Sequence, residues 1–243
     1  MSIVLIAKKL FSTLGTLCFP PHCEECRAAT EPGVYLCAAC ASGAQRIEAP
    51  YCERCSQPFD GAITQAFVCS NCTGREVHFE CAVAPYRSTG VVRDFIHAFK
   101  YQHQLHLGRP LAGWLADALD DPRIADRPFD AFVPVPLHHI RFREREFNQA
   151  EALALQLSRR TGIPVWPTLK RIRYTTTQTK LDRHERMENL RGAFLVRHNA
   201  RVKNRHLVLV DDVFTTGSTV EECSRVLLRA GASSVRVVTV ARG

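Results

Sequence analysis

The sequence predicts an α/β protein with a parallel sheet flanked by helices, preceded by a small cysteine-rich module. Residues 207–210 form an unbroken apolar run, which is typical of a strand buried on both faces of a parallel sheet. Residues 235–240 form a second such run, and a segment with helical spacing, 220–230, lies between the two. Ten of the eleven cysteines precede residue 82, so the predicted sheet and the module occupy different parts of the chain.

A polar turn separates the strand at 207–210 from the helix that follows it. The turn contains small hydroxyl residues around one glycine: Thr215, Thr216, Gly217, Ser218 and Thr219. The start of a helix leaves backbone N–H groups unpaired and carries partial positive charge, so such a turn is suited to binding a phosphate. Gly217 would let the backbone approach that phosphate closely.

Asp211 and Asp212 lie between this strand and the turn. They would repel a phosphate, but carboxylates at the end of a strand can accept hydrogen bonds from sugar hydroxyls or hold Mg²⁺ through water. A ribose phosphate satisfies both halves of the motif. The alternative is an aspartate-capped turn that binds no ligand, since such caps are common.

A second informative segment follows a strand predicted at 132–136. Its C-terminal end is where open α/β sheets bind ligands, and guanidinium groups bind diphosphate oxygens through paired hydrogen bonds. The candidate residues are Arg141, Arg143 and Arg145. A helix over 148–160 opens with Asn148 and Gln149, and the alternative interpretation of the whole segment is a charged helix cap.

The cysteine-rich part contains four C-x-x-C pairs. Two such pairs supply four thiolates for one tetrahedral Zn²⁺, so we predict two structural zinc ions. The eight ligands are Cys23, Cys26, Cys37, Cys40, Cys52, Cys55, Cys69 and Cys72.

The spacing allows two partitions of these pairs. A sequential partition is favoured because short loops close at lower entropic cost, but a cross-braced one, first pair with third and second with fourth, is equally allowed. Disulfides are the competing interpretation. The odd number of cysteines and the repeated C-x-x-C motif instead indicate reduced thiols in a cytoplasmic protein.

The chain carries 32 Lys+Arg against 24 Asp+Glu, with an isoelectric point near 9.1. This excess favours anionic partners such as phosphorylated metabolites or nucleic acid, without choosing between them. A solvated basic surface without any such partner is equally compatible.

The N-terminal residues 1–20 are predicted to form one amphipathic helix. Their apolar run at 3–17 is interrupted by Lys8 and Lys9 and is shorter than the about 20 residues of a membrane span. Its apolar residues recur at helical spacing. We therefore expect no stable membrane insertion.

Two resemblances follow from these motifs. The segment L-V-L-V-D-D-V-F-T-T-G-S-T resembles the phosphoribosyl pyrophosphate (PRPP) motif of type I phosphoribosyltransferases. Together with the cysteine pairs and the F-N-Q segment, the complete chain resembles the ComF competence-protein family (ComFC and GntX-like proteins). By this resemblance, Asp211 and Asp212 would face the ribose hydroxyls and carry any catalysis, with Mg²⁺, and residues 215–219 would surround the 5′-phosphate.

The same resemblance assigns further residues. Arg145 would bind PRPP, and the region T-x-x-Q-x-x-L with E-R-x-x-N would be the mobile lid of a type I phosphoribosyltransferase, with Gln178, Lys180 and Arg186 as lid contacts. Members of the ComF family usually have R-G-F-N-Q, whereas this chain has Glu146 in place of the glycine. Glu146 would either turn away to pair with an arginine or weaken diphosphate binding.

The predicted organisation is therefore an N-terminal helix at 1–20, a double zinc-ribbon module at 21–78 and a phosphoribosyltransferase-like domain at 79–243. The resemblance implies a PRPP-binding protein that handles incoming single-stranded DNA during natural transformation, with DNA and other competence proteins as partners. The alternative is an active phosphoribosyltransferase with an unidentified acceptor. The sequence leaves open whether catalysis occurs.

Overall fold

The computed structural model describes residues 20–61, 63, 65–74, 76–174, 183–198 and 200–243. The chain divides into two compact units, Met1–Gln45 and Arg46–Gly243, and this division falls between the two groups of cysteines. The predicted N-terminal helix lies outside the described residues except for Pro20. The predicted module limits at residues 21 and 78 stay predictions.

In the first unit, the described residues form a cysteine knuckle and one short helix, α1 (Ala38–Ala41). The knuckle closes through hydrogen bonds from the Cys23 N–H to the Ala28 carbonyl and from the Arg27 N–H to the Cys23 carbonyl. The same pattern recurs in the second unit, where the Cys52 N–H donates to Gln57 and the Ser56 N–H donates to Cys52. The two knuckles are therefore built alike.

The second unit contains a five-stranded parallel sheet. Its strands are β1 (Ala82–Val83), β2 (Tyr86–Arg87), β3 (Ala131–Pro134), β6 (His206–Phe214) and β7 (Ser234–Arg242). Both β1 and β2 pair with β7, β7 pairs with β6, and β6 pairs with β3. Pro85 separates β1 from β2 because proline has no N–H to donate to the ladder.

Helices flank this sheet, and this confirms the predicted fold class. They are α2 (Gly90–Tyr101), α3 (Gly108–Ala116), α4 (Pro122–Ala125), α5 (His139–Arg145), α6 (Gln149–Thr161), α7 (Arg183–Leu190) and α8 (Ser218–Arg229). Two further strands, β4 (Leu169–Arg171) and β5 (Phe194–Val196), form a separate antiparallel pair. Strand β4 precedes α7 in the chain and β5 follows it.

Three boundaries differ from the sequence-based predictions. Strand β6 continues past the two aspartates to Phe214, because its pairing with β7 extends to Phe214 and Arg242. The sequence also predicts a short strand at 163–169, but before Leu169, where β4 begins, this segment makes one bridge, Val165 with Phe132, since Pro164 and Pro167 cannot donate hydrogen bonds. The acidic, proline-containing segment 120–128 predicts a surface loop, but it contains α4, whose first turn is capped by the Asp121 carboxylate.

Candidate functional site

Asp211 and Asp212 lie in the second half of β6, where successive side chains point to opposite faces of the sheet. The Asp212 Oδ1 lies 2.8 Å from the Lys100 Nζ, and these side chains are 11% and 18% exposed. Lys100 is in the last turn of α2. From the sequence alone, Lys100 has two interpretations, a solvated lysine at a helix end and a cation that reaches a phosphate. The structure shows that it neutralises one member of the acidic pair.

Asp211 has a different electrostatic environment. Burial and the neighbouring charge of Asp212 raise the pKa of Asp211 to about 7, although Lys100, Arg171 and a 2.9 Å hydrogen bond from the Asp212 N–H act in the opposite direction. Near neutral pH this carboxylate is therefore close to its midpoint of protonation. A ligand that donates hydrogen bonds or brings positive charge would stabilise its ionised form.

Residues 215–219, which we call the phosphate loop, run from the end of β6 into the first turn of α8. Gly217 immediately precedes α8 and has a φ of 77°, in the left-handed region that glycine adopts without strain. The Thr216 and Ser218 hydroxyls lie 3.0 Å apart, and the Ser218 N–H at the start of α8 donates to the Thr216 Oγ1 at 3.5 Å. A small concavity above the loop is lined by Asp211 and residues 213–220. The predicted phosphate-binding residues thus meet one of the aspartates around a common opening.

Arg242 fixes the base of this loop, and the sequence analysis did not identify it. Its Nη1 donates to the carbonyls of Phe214 at 3.0 Å and Thr215 at 2.7 Å, and its guanidinium lies 5.1 Å from the centre of the Phe214 ring. Only the pairing of β6 with β7 brings Arg242 to this place. An arginine at the end of an apolar strand was the one signal available in the sequence.

Arg145 is buried beside the end of α2. Its Nη2 donates to the Tyr101 hydroxyl and its Nη1 donates to the Gln149 Oε1, both at 3.1 Å. Its guanidinium also lies 4.7 Å from the centre of the Tyr101 ring. Because Tyr101 directly follows Lys100, α2 links Arg145 to the acidic pair. Asn148 caps α6 by accepting a hydrogen bond from the Ala150 N–H.

Glu146 has a φ of 64°, so this position does require the left-handed conformation that a glycine would provide. Its side chain is 79% exposed and lies 3.7 Å from the His103 Nδ1. Of the two expectations for Glu146, the structure agrees with the one in which the side chain turns out to solvent. Its partner, however, is a histidine and not the expected arginine.

Arg171, at the end of β4, is a second cation that the sequence analysis did not single out for the site. Burial lowers the pKa of Arg171 and the charge of Arg141 lowers it further, whereas Cys223 and Asp211 raise it. These interactions place Arg171 within electrostatic reach of Asp211, and Arg141 within electrostatic reach of Arg171. Of the predicted lid contacts, Gln178 and Lys180 lie outside the described residues. The backbone of Arg186 belongs to α7, and its side chain is not among those described.

The eight C-x-x-C cysteines form two clusters, and each cluster combines two pairs that follow each other in the sequence, as in the favoured partition. Within each cluster the four sulfur atoms lie within 4.8 Å of one another. Cys26 and Cys37 have their Sγ atoms 3.7 Å apart, and Cys55 and Cys69 have theirs 3.6 Å apart. A tetrahedral zinc with Zn–S bonds near 2.3 Å needs sulfurs about 3.8 Å apart, so both clusters fit structural zinc.

The two clusters differ in their surroundings. In the first, only Cys23 is buried, whereas all four thiols of the second cluster are buried. The second cluster belongs to the same apolar core as Phe79, Phe214 and Val220. In addition, His78 donates its N–H to the Glu221 carboxylate, in the first turn of α8, and its Nδ1 lies 2.6 Å from the Glu221 Oε1. The second cluster is thus part of the support of the phosphate loop.

Two protein families match the chain. Residues 14–73 match the double zinc ribbon domain, and residues 147–243 match the phosphoribosyl transferase domain. These matches agree with the cysteine clusters and with the parallel sheet.

Several curated proteins are similar over most of the chain. Competence protein F of Haemophilus influenzae is 35% identical, over 85% of this chain and 90% of that protein. DNA utilization protein YhgH of Escherichia coli is 32% identical, over 93% of this chain and 99% of that protein. Competence protein ComFC of Bacillus subtilis is 26% identical, over 87% of this chain and 86% of that protein.

Among solved structures, glutamine PRPP amidotransferase of Bacillus subtilis, complexed with ADP and GMP, matches with a TM-score of 0.36 and 23% identity. The match covers 54% of this chain and 25% of that chain. Within the described residues, no helix has the length and apolar character needed to cross a membrane.

Proposed function

Because the chain belongs to the ComF family of competence proteins, we propose that it binds PRPP with Mg²⁺ where β6 joins α8, and that it acts on incoming single-stranded DNA during natural transformation. One observation carries the PRPP part. Asp211 lines one opening together with the phosphate loop, and the adjacent Asp212 is paired with Lys100. The junction of β6 and α8 therefore offers acceptors for hydroxyls close to donors for a phosphate.

Each part of PRPP has a matching group in this proposal. The ribose hydroxyls donate to Asp211 and Asp212, and the 5′-phosphate accepts from the N–H groups and hydroxyls of residues 215–219. Lys100 and Arg171 supply positive charge for the diphosphate, and Arg145 orients the end of α2. The two carboxylates would also hold Mg²⁺ through water, which would reduce the repulsion between them and the diphosphate.

The names of the relatives support the DNA part of the proposal, since they include competence protein F and DNA utilization protein YhgH. The basic composition of the chain is compatible with a polyanionic partner. Two clusters of reduced thiols suit a reducing compartment, so we place the protein in the cytoplasm, where it would meet incoming DNA and other competence proteins.

Calorimetry with PRPP and Mg²⁺ tests the binding site. We expect binding by the wild-type protein and a loss of at least about tenfold in affinity for Asp211→Asn/Asp212→Asn, because the ribose hydroxyls lose charged acceptors. Asp94→Asn, an exposed position on α2, is the matched control and should bind as the wild type does. Equal binding by all three proteins would refute the site.

Fluorescence anisotropy with labelled single-stranded DNA tests the DNA part. The logarithm of the binding constant should fall linearly with the logarithm of the salt concentration, with a slope of about −0.7 for each phosphate contact. Weak binding with a flat salt dependence would remove DNA as a partner and leave the PRPP site untouched.

A second candidate function, transfer of the ribose 5-phosphate, is favoured by one observation, the pKa of about 7 for Asp211. At neutral pH this carboxylate can accept the proton of an attacking acceptor. The bond from the anomeric carbon to pyrophosphate breaks, the bond to the acceptor forms, and pyrophosphate leaves. Release of pyrophosphate from PRPP with a panel of acceptors tests this function, and no release above the acceptor-free rate would argue against it.

A further inference from the structure

The positive charge of the chain is concentrated in two segments that contain no acidic residue. Residues 152–181 and 189–210 together hold eleven Lys and Arg and no Asp or Glu. The rest of the chain holds 21 Lys and Arg against all 24 Asp and Glu. The net positive charge of the protein therefore comes entirely from these two segments.

The fold joins the two segments to each other. Strands β4 and β5 pair with Leu169 opposite Val196, and the Arg197 N–H donates to the Thr168 carbonyl at 2.7 Å. On its other side, the first segment is attached to the sheet edge, because the Trp166 N–H donates to the Phe132 carbonyl at 2.8 Å. The two acid-free segments therefore meet in one hydrogen-bonded substructure.

A pocket of about 310 Å³ lies where the segments meet. This volume falls at the lower end of the range for small-molecule sites, about 300 to 1,000 Å³, and is much larger than a monatomic ion requires. The pocket is lined by Trp166, Pro167, Thr168, Arg197, Ala200 and Arg201. None of these residues belongs to the PRPP site described above.

The pocket combines an aromatic ring with a buried hydroxyl that has no hydrogen-bond partner among the described residues. Thr168 is 5% exposed, and its hydroxyl makes no hydrogen bond with any described residue. Within the described part of the chain, Arg197 and Arg201 form no ion pair, whereas Arg205, whose guanidinium lies 5.9 Å from the centre of the Trp166 ring, pairs with Asp130. The Arg197 Nε donates to the Leu169 carbonyl at 3.3 Å. A buried hydroxyl without a partner costs about 1–3 kcal/mol, so a ligand that bonds to it would recover this energy.

We propose that this pocket binds one nucleotide of single-stranded DNA, with the base against Trp166 and Thr168 and the flanking phosphates on Arg197 and Arg201. A flat aromatic group next to arginines without acidic partners is the combination that binds single strands. A duplex keeps its bases stacked inside and cannot insert one into a pocket. This inference rests on the DNA part of the proposed function and names the surface that would carry it.

The test is anisotropy with a labelled oligo(dT), with unlabelled duplex and the corresponding RNA as competitors. We expect Trp166→Ala to weaken binding by about 5- to 100-fold, since stacking on one aromatic ring contributes that much to single-strand affinity. Trp166→Phe should retain most of the affinity. Arg201→Ala should reduce the steepness of the salt dependence by about 0.7.

Arg109→Ala is the matched control, because Arg109 is an exposed arginine outside both acid-free segments. It should leave oligo(dT) binding unchanged, and all variants should bind PRPP as the wild type does. Because Trp166 is partly packed on the core, Arg201→Ala and the isosteric Thr168→Val provide tests that do not remove the ring. Thr168→Val should lower affinity for oligo(dT) without lowering stability.

The possible outcomes separate this inference from the proposed function. Wild-type binding to oligo(dT) that Trp166→Ala, Arg201→Ala and Thr168→Val leave unchanged would overturn the pocket and keep the DNA function. No wild-type binding would overturn both, and a preference for RNA or duplex would overturn the assignment to single-stranded DNA. Quenching of the Trp166 fluorescence by oligo(dT), measured in Trp114→Phe protein, would support the pocket independently.

Discussion

Glu146 occupies a backbone conformation that costs an L-amino acid with a side chain about 1–2 kcal/mol relative to glycine. Its side chain contributes little stability, because it is 79% exposed and its partner among the described residues is a surface histidine. The residue is therefore tolerated at the end of α5 and contributes little to holding it there.

We predict that Glu146→Gly raises the free energy of unfolding by about 1 kcal/mol, because the left-handed turn is no longer strained. Glu146→Ala removes the same charge but keeps the Cβ atom, so it should be no more stable than the wild type. Denaturant unfolding of the three proteins measures the difference. Equal stability of the glycine and alanine variants would show that backbone strain is not the cause.

The ionised form of Asp211 lowers the stability of the folded state. Its folded pKa, about 7, lies above the ordinary value of 3.8, so the folded state favours the protonated form. The stability contributed by this proton is fully present below about pH 4 and is lost as the pH rises toward 7.

We predict that Asp211→Asn is more stable than the wild type, and that its advantage grows by about 1–2 kcal/mol between about pH 5.5 and pH 8. Asparagine stays neutral and still accepts the hydrogen bond from the Asp212 N–H. Thermal unfolding at the two pH values measures the effect, with Asp94→Asn as the control. A pH-independent difference would contradict the raised pKa.

At the scale of elements, the β6–α8 turn depends on close contact between Gly217 and Phe214. A Cβ atom on Gly217 would lie 2.4 Å from the Phe214 Cζ, well inside van der Waals contact, and its φ of 77° is strained for any other residue. The Phe214 ring cannot move easily, since Phe79 packs against it with ring centres 5.9 Å apart and Arg242 lies over it.

We therefore predict that Gly217→Ala destabilises the protein by about 2 kcal/mol or more and weakens PRPP binding, because strain and overlap both displace the phosphate loop. Phe214→Leu in the same chain should restore part of the loss, since it removes the ring that the new methyl group meets. Calorimetry and thermal unfolding of the single and double variants measure the coupling. Simple additivity of the two changes would exclude the steric explanation.

At the scale of the whole molecule, the two cysteine clusters have different structural roles. The first lies in the unit Met1–Gln45, and the second is buried in the core of the unit Arg46–Gly243 together with the support of the phosphate loop. Metal analysis of the full chain should find about two zinc ions, since each cluster supplies four thiolates.

We predict that Cys52→Ser and Cys23→Ser each remove about one zinc but differ in their effect on the rest of the chain. Loss of the second zinc should lower the main unfolding temperature and weaken PRPP binding, because the ligands of that zinc are core residues. Loss of the first should leave both nearly unchanged. Equal effects of the two variants would contradict this division of roles.

The local motifs were the part of the site that could be predicted from sequence. A strand, two acids, a glycine turn and a helix follow one another within residues 206–222, and the cysteines of each C-x-x-C pair are three residues apart, so their geometry depends mainly on neighbouring residues. The order of elements and the fold class follow from the same apolar periodicity. The strand predicted at 163–169 was wrong, because the apolar pattern was given more weight than the missing N–H groups of Pro164 and Pro167.

The sequence by itself determined the parallel α/β class, the two metal-binding clusters and the acidic and hydroxyl residues of the β6–α8 turn. Only the tertiary structure decided which cationic side chains contact the residues of this turn. Lys100 reaches Asp212, and Arg242 reaches the carbonyls of the phosphate loop, through strand pairings and helix packing that join distant parts of the chain. The pKa of Asp211 was decided in the same way, because burial and charge depend on what surrounds a side chain in space and not on its neighbours in sequence.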